Sequence, residues 1–187
     1  MPPKVRISKQ DIVDTAVQLT RTTGIQSVNA RTVAAMLQCS TQPIFSNFSS
    51  MDELHQAVFQ QANQLYSIYT ENEITSGRYP TYKATGMAYI RFAKEERELF
   101  KLLFMRDRLS TPVPDDIGVT SQVESIIRNT TGLNGDTAKL FHLEMWAYVH
   151  GIGTMFATGY LDLEWELVSK MITDAYQGLR KQYGLEG

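Results

Sequence analysis

The side chains best placed to do chemistry sit in one short stretch. Thr41-Gln42-Pro43-Ile44-Phe45-Ser46-Asn47 puts amides and hydroxyls on the open face of a short helix if Ile44 and Phe48 turn inward. Gln42 and Asn47 can donate and accept at once, which is the pattern that pairs bidentately with adenine in a DNA major groove. Thr41 and Ser46 can bond either base type, and the face carries no acid. Arg31, just upstream, can reach a guanine or a phosphate. Catalytic chemistry has no comparable set. Of the three histidines, His55, His142 and His150, the last two lie about two helical turns apart. His142-Leu143-Glu144 resembles a fragment of a deaminase signature, but no cysteine pair follows to hold zinc. Cys39 is the single cysteine, so a disulfide framework and a cysteine-built zinc site are excluded. No phosphate loop or nucleophile elbow is present. The expectation is a chain that is not an enzyme, with no catalytic residue, no metal and no cofactor.

The elements that must position these residues read as helices. Residues 28–48 have helix-turn-helix spacing: a short helix after Asn29, a tight connection at Gln38-Cys39, and a second short helix over 41–47 capped by Ser40. Pro43 falls in the first turn of that helix, where a missing N–H does no harm. Ala34 is small enough for a close crossing, and Val33, Leu37, Ile44 and Phe48 form a miniature core. An earlier helix starts near Ser8, carries Ile12, Ala16, Leu19 and Thr23 on one face, and stops at Gly24. Ser50-Met51-Asp52-Glu53 is a capping box opening a long helix through Leu54, Val58, Ala62, Leu65 and Tyr69. Gly77 and Pro80 end that segment. Further helices follow at about 81–94, 96–105, 119–130, 136–158 and 163–182, the last capped by Asp162. Residues 110–118, with Pro112 and Pro114, read as a loop. No stretch alternates like a strand, so the fold class is all-α with about nine helices.

Composition agrees. The chain has 187 residues, 43% apolar and 20% charged, enough to build a core in one or two domains. No apolar run spans a bilayer, and Met1-Pro2-Pro3-Lys4 opens no signal-peptide pattern, so the chain is expected to be cytoplasmic with no membrane partner. The net charge of −2 hides an asymmetry. Residues 1–51 hold five basic and two acidic side chains (+3), and residues 52–187 hold 13 basic and 18 acidic ones (−5). A basic module on an acidic body suits an anionic partner held at one end.

Residues 8–59 resemble the N-terminal domain of the TetR family, the tetracycline-repressor-like regulators. The resemblance rests on the stop at Gly24, Val28, Thr32-Val33-Ala34, Leu37, Ser40, Ile44-Phe45, Phe48 and Asp52-Glu53-Leu54. Farther on, Trp146-Ala147-Tyr148-Val149-His150-Gly151 is similar to a Trp-His-Gly-containing C-terminal subgroup, with Arg91-Phe92-Ala93 and Glu98-Leu99-Phe100-Lys101-Leu102-Leu103-Phe104 as its upstream partner. The resemblance implies a homodimeric transcriptional regulator, a repressor, released from a near-palindromic operator by a small-molecule effector. It implies a helix-turn-helix domain over 1–51 and an effector-binding and dimerisation domain over 52–187. Three positions depart from the family: Gln38 replaces the usual turn glycine, Phe45 replaces a tyrosine that contacts phosphate, and Met51 replaces a phosphate-binding lysine. A member with weak or lost DNA binding, acting as a protein adaptor or a small-molecule binder, is the alternative those departures leave.

The expected DNA-binding residues are Lys4, Arg6, Arg31, Thr41, Gln42, Pro43, Phe45, Ser46 and Asn47, with Lys4, Arg6 and Lys9 as compensating contacts from an N-terminal arm. Aromatic side chains with polar tips suit a mostly apolar ligand, so Tyr66, Tyr89, Phe92, Phe104, Trp146, His150 and Met155 are the effector-binding candidates. The helix at 136–158 has two apolar stripes and needs cover on two sides. Phe141, Met145, Val149, Ile152 and Phe156, with Leu167, Met171, Ala175 and Leu179 of the last helix, are the expected dimer interface.

Overall fold

The computed structural model describes residues 7–105 and 121–185. Among them are nine α-helices and one 3-10 turn, with no strand. The helices are α1 (Lys9–Thr23), α2 (Ala30–Met36), α3 (Gln42–Asn47), α4 (Met51–Thr75), α5 (Thr81–Glu95), α6 (Arg97–Phe104), α7 (Ser121–Thr131), α8 (Gly135–Thr158) and α9 (Trp165–Gln182). The 3-10 turn, Ile25–Ser27, joins α1 to α2. The loop expected at 110–118 lies outside the described residues, as do Lys4 and Arg6.

The chain divides into two compact units. One, the head, comprises residues 1–66 and 96–106; the other, the body, comprises residues 67–95 and 107–187. The head therefore takes α6 from the middle of the chain. Its core is built from Ile12 and Ala16 of α1, Val33 of α2, Ile44 of α3, Leu54, Val58 and Ala62 of α4, and Leu99 and Phe100 of α6, all fully buried. The buried face of α1 is Ile12, Val13, Ala16, Val17 and Thr20. Leu19 is only half-buried and Thr23 is exposed, so the helix is rotated from the expected face. Thr20 enters the core without an orphaned hydroxyl because its Oγ1 donates to Ala16 O at 2.8 Å.

In the body, α5 lies along α8. An added Cβ at Gly86 would stand 3.4 Å from Val149 Cγ2, so the missing side chain lets the two helices approach closely. Ala138, Phe141, His142, Met145, Val149, Ile152 and Phe156 form the buried side of α8. Met87, Ile90, Phe92 and Ala93 of α5 and Val168 and Ile172 of α9 complete the core. Asp162 does not cap α9. That helix begins at Trp165 after Glu164, and Asp162 instead accepts a hydrogen bond from Lys94 Nζ at 2.6 Å. With the cap position at Glu164, Asp162 stands two residues too early to cap the helix.

Candidate nucleic-acid interface

Local chemistry builds the helix-turn-helix. Asn29 Oδ1 accepts from Arg31 N at 3.0 Å and Thr32 N at 3.1 Å, and Thr32 Oγ1 accepts from Asn29 N. That reciprocal box starts α2 with its first amides satisfied. The chain then turns at Gln38, with φ +52°. A side chain in this left-handed region costs about 1–2 kcal/mol relative to glycine-like freedom, so the departure at Gln38 is accommodated rather than avoided. Cys39 N donates to Ala34 O at 2.9 Å and closes the turn. Ser40 does not cap α3: Thr41 holds the cap position, makes no side-chain cap bond, and is followed by Pro43 in the first turn. Ile44, Phe48, Val33 and Ala34 are buried beneath, while Leu37 is half-buried.

With Ile44 inward, the open side of α3 is Gln42, Phe45 and Ser46, all exposed. Thr41, Pro43 and Asn47 flank it half-buried, and Arg31 is exposed on α2. Two of the expected base readers are engaged by their own helix. Ser46 Oγ donates to Gln42 O at 2.9 Å, and Asn47 Nδ2 donates to Pro43 O at 2.8 Å. The Asn47 amide keeps a second N–H and its oxygen for a base, and Ser46 keeps its oxygen free to accept.

Polar ties hold this face from behind. His55 Nε2 of α4 donates to Val28 O at 2.9 Å, which fixes the chain entering α2. Glu53 accepts from Ser49 N and Ser49 Oγ at 2.8 and 2.9 Å and from Lys9 Nζ at 2.8 Å. Lys9, and then Ser49, draw its carboxyl down to about 2. Lys9 is thus the first residue of α1, with its ammonium committed to Glu53 and placed 4.6 Å above the Phe48 ring. Arg21 grips Glu96 through Nε and Nη2 at 2.8 and 2.6 Å, joining α1 to the start of α6.

Residues 82–175, half of the chain, match the family model described as tetracyclin repressor-like, C-terminal domain. The chain belongs to the TetR family. Its fold is also that of solved TetR-like proteins. A TetR-like transcriptional regulator from Rhodococcus sp. RHA1 is 17% identical, with 96% of this chain and 98% of that one covered and a TM-score of 0.69. The multidrug binding protein EbrR, complexed with malachite green, is 19% identical over 92% of this chain and 98% of that one, with a TM-score of 0.58. A TetR-family member from Streptomyces coelicolor A3 is 17% identical over 89% and 96%, with a TM-score of 0.56. No curated protein matches the sequence. Among the described residues no helix is long and apolar enough to cross a membrane.

The effector candidates of this TetR-family chain fall into separate groups. Tyr66 and Phe104 belong to the head and meet edge to face at 5.2 Å. In the body, Tyr89 Oη lies 2.7 Å from His150 Nδ1, and Trp146 stacks on the His150 ring at 4.7 Å and 15°. Phe92 is fully buried against Tyr69, and Met155 is half-buried. None of these seven lines a groove of about 530 Å³ in the body, whose walls include Tyr69, Glu73, Arg78, Arg91 and Glu95. There Arg91 Nε donates to buried Glu73 at 3.2 Å while its guanidinium lies over Trp165 at 4.5 Å. Sequence periodicity did not single out this ionic cluster, because its members come from α4, α5, α9 and the α4–α5 connection.

Burial depresses the pKa of His150 below its ordinary 6.5. The unfolded chain therefore takes up a proton before the folded chain does. The stability that the neutral ring allows is full above about pH 6.5 and declines as pH falls through the lower folded value. His150→Gln is expected to remove that portion of the acid sensitivity. Urea midpoints of the two proteins between pH 7.5 and 5 test this; parallel curves would exclude the imidazole as the source.

The stripe expected at a dimer interface is the body's own core. Phe141, Met145, Val149, Ile152 and Phe156 are buried within the subunit and have almost no area left for a partner. The large apolar side chains that α8 does expose are Leu140 (51%) and Leu143 (39%), on the side away from this core, and Tyr148 (38%), on its flank. On α9, Leu167 is 46% exposed, and Met171, Ala175 and Leu179 are half-buried.

Proposed function

We propose that this TetR-family regulator is a repressor whose head, residues 1–51 above all, reads one half of a near-palindromic operator, and whose body, within residues 52–187, binds a small-molecule effector and pairs with a second copy. The observation that carries this reading is the outward face of α3. It presents Gln42 beside Phe45 and Ser46, in a stretch with no acidic side chain between Asp14 and Asp52. An acid-free polar helix face can approach phosphates without repulsion and offer an amide to adenine. Two such faces in a homodimer would stand about one DNA turn, roughly 34–36 Å, apart. The exposed apolar face of α8, with Leu167 of α9, is the proposed contact between copies. Trp146 stacked on His150, with Tyr89 bonded to that ring, favours an aromatic, mostly apolar effector, in keeping with the malachite green held by a protein of the same fold.

The test is selection of bound fragments from the source genome, followed by titration of the best fragment at several salt concentrations. A near-palindrome whose affinity falls with salt is expected. Gln42→Ala should then cost about 1–3 kcal/mol and relax the base preference at one position of each half-site. Unchanged preference would remove Gln42 from the base contacts. Recovery of no specific fragment by the effector-free protein would overturn the DNA-reading role.

A further inference from the structure

Phe45 sits on the reading helix with its ring 56% exposed. A single exposed aromatic is ordinary on a protein surface. The position of this one is what carries meaning. On a helix with Ile44 buried, Phe45, Gln42 and Ser46 share the outward side, so the ring lies one turn from the amide best placed to meet a base. The ring has no hydroxyl and cannot bond a phosphate. Its neighbours sharpen the point: the Ser46 hydroxyl proton and one of the two Asn47 amide protons are held by the helix backbone. The exposed groups on this side are the Gln42 amide, the Ser46 oxygen and one apolar ring.

The major groove offers one apolar projection on an unmodified base pair, the C5 methyl of thymine. We propose that Phe45 is a specificity-determining residue that packs on a thymine methyl in each operator half-site, next to a base pair read by Gln42. This rests on the DNA-reading role proposed above. Cβ atoms three residues apart on a helix are about 5–6 Å from one another. Successive base pairs rise by about 3.4 Å. The methyl therefore belongs to a base pair adjacent to, or one removed from, the one that Gln42 contacts. The half-site core should be rich in A·T pairs, with the thymine read by shape and the adenine by hydrogen bonds.

The experiment removes the methyl alone. Each thymine of the selected operator is replaced in turn by deoxyuridine, which keeps every hydrogen-bonding group, and binding of the full-length protein is titrated at fixed salt. One thymine per half-site should respond. Its replacement should weaken binding about fourfold, the equivalent of roughly 0.8 kcal/mol for one buried methyl group, and about sixteenfold when both half-sites are changed. Phe45→Ala and Phe45→Leu, at an exposed position, should both fold. Phe45→Ala should bind thymine and deoxyuridine operators equally, and Phe45→Leu should retain part of the difference. Specific, salt-dependent binding with no response to any deoxyuridine would overturn the role of Phe45 and leave the DNA-reading role standing. Persistence of the thymine preference in Phe45→Ala would assign the methyl to another side chain and overturn it too. Absence of specific binding to any fragment would overturn both and turn the exposed ring towards a protein partner.

Discussion

Phe141→Ala is expected to lower the unfolding free energy by about 3–5 kcal/mol, the range for deleting a fully buried ring. Phe141, near the start of α8, packs against side chains of α5 and α9. The rings of Tyr183, Tyr176 and Tyr82 stand 5.4, 5.9 and 6.3 Å from its own. Two of those rings are tethered, Tyr82 to His142 Nδ1 at 3.1 Å and Tyr183 to Glu144 at 2.8 Å. Tethered walls do not collapse into a cavity, so the loss should fall in the upper part of the range. Leu143→Ala, two residues along on the opposite face, should cost under about 1 kcal/mol of subunit stability. Urea unfolding at one protein concentration, read beside the dimer dissociation constant of each variant, separates the two cases, because an interface contact changes dissociation and a core contact changes the stability of the subunit itself. A small loss of stability for Phe141→Ala with a raised dimer dissociation constant would put that ring at an interface and contradict its place in the core.

That contrast marks where the sequence stops being legible. The period of α8 shows that it is apolar on more than one side, and this is correct. Which apolar side belongs to the subunit's own core depends on where α5 and α9 lie, and no local pattern encodes that. Phe141 and Leu143 differ in burial although each is a large apolar residue on the same helix. Local signals fare better. Ser8 and Asn29 cap α1 and α2 through bonds that span three residues, so spacing alone identifies them. Gln38 stands in the left-handed turn position where the family has glycine, and the structure places it there with positive φ. Ser40 and Asp162 fail as caps. Thr41 takes the cap position in front of Pro43, and α9 starts at Trp165 with Glu164, not Asp162, at its cap.

The same limit operates within the reading helix. The outward side of α3 follows from the inward turn of Ile44, which a short apolar pattern reveals. The availability of each polar side chain does not follow. Serine and asparagine compete for nearby backbone carbonyls whenever the helix brings them within reach. Ser46 and Asn47 do so, whereas Gln42 has a longer stem and stands exposed at the start of the helix. The basic residues expected to help are likewise sorted by tertiary contacts. Lys9 is held by Glu53, a pairing across 44 residues of chain. Among the described residues of the helix-turn-helix this leaves Arg31, exposed on α2, as the basic side chain that can reach a phosphate.

Leu140→Glu combined with Leu143→Glu is expected to weaken operator binding at least about 100-fold while leaving the subunit folded. Both side chains are exposed in the subunit, so the substitutions create no cavity and bury no charge before association. In a two-fold interface each new carboxylate must be desolvated, and it meets copies of itself across the symmetry axis. The dimer should dissociate. A monomer then holds one half-site, losing the effective concentration, on the order of millimolar, with which a tethered second head engages the other half-site. Light scattering reads the assembly, circular dichroism the fold, and titrations on full and half operators the binding. The expected result is a folded monomer whose affinity for the full operator equals its affinity for the half-site. A variant that stays dimeric would show that the copies meet elsewhere. A monomer that binds the full operator undiminished would show that each head acts alone.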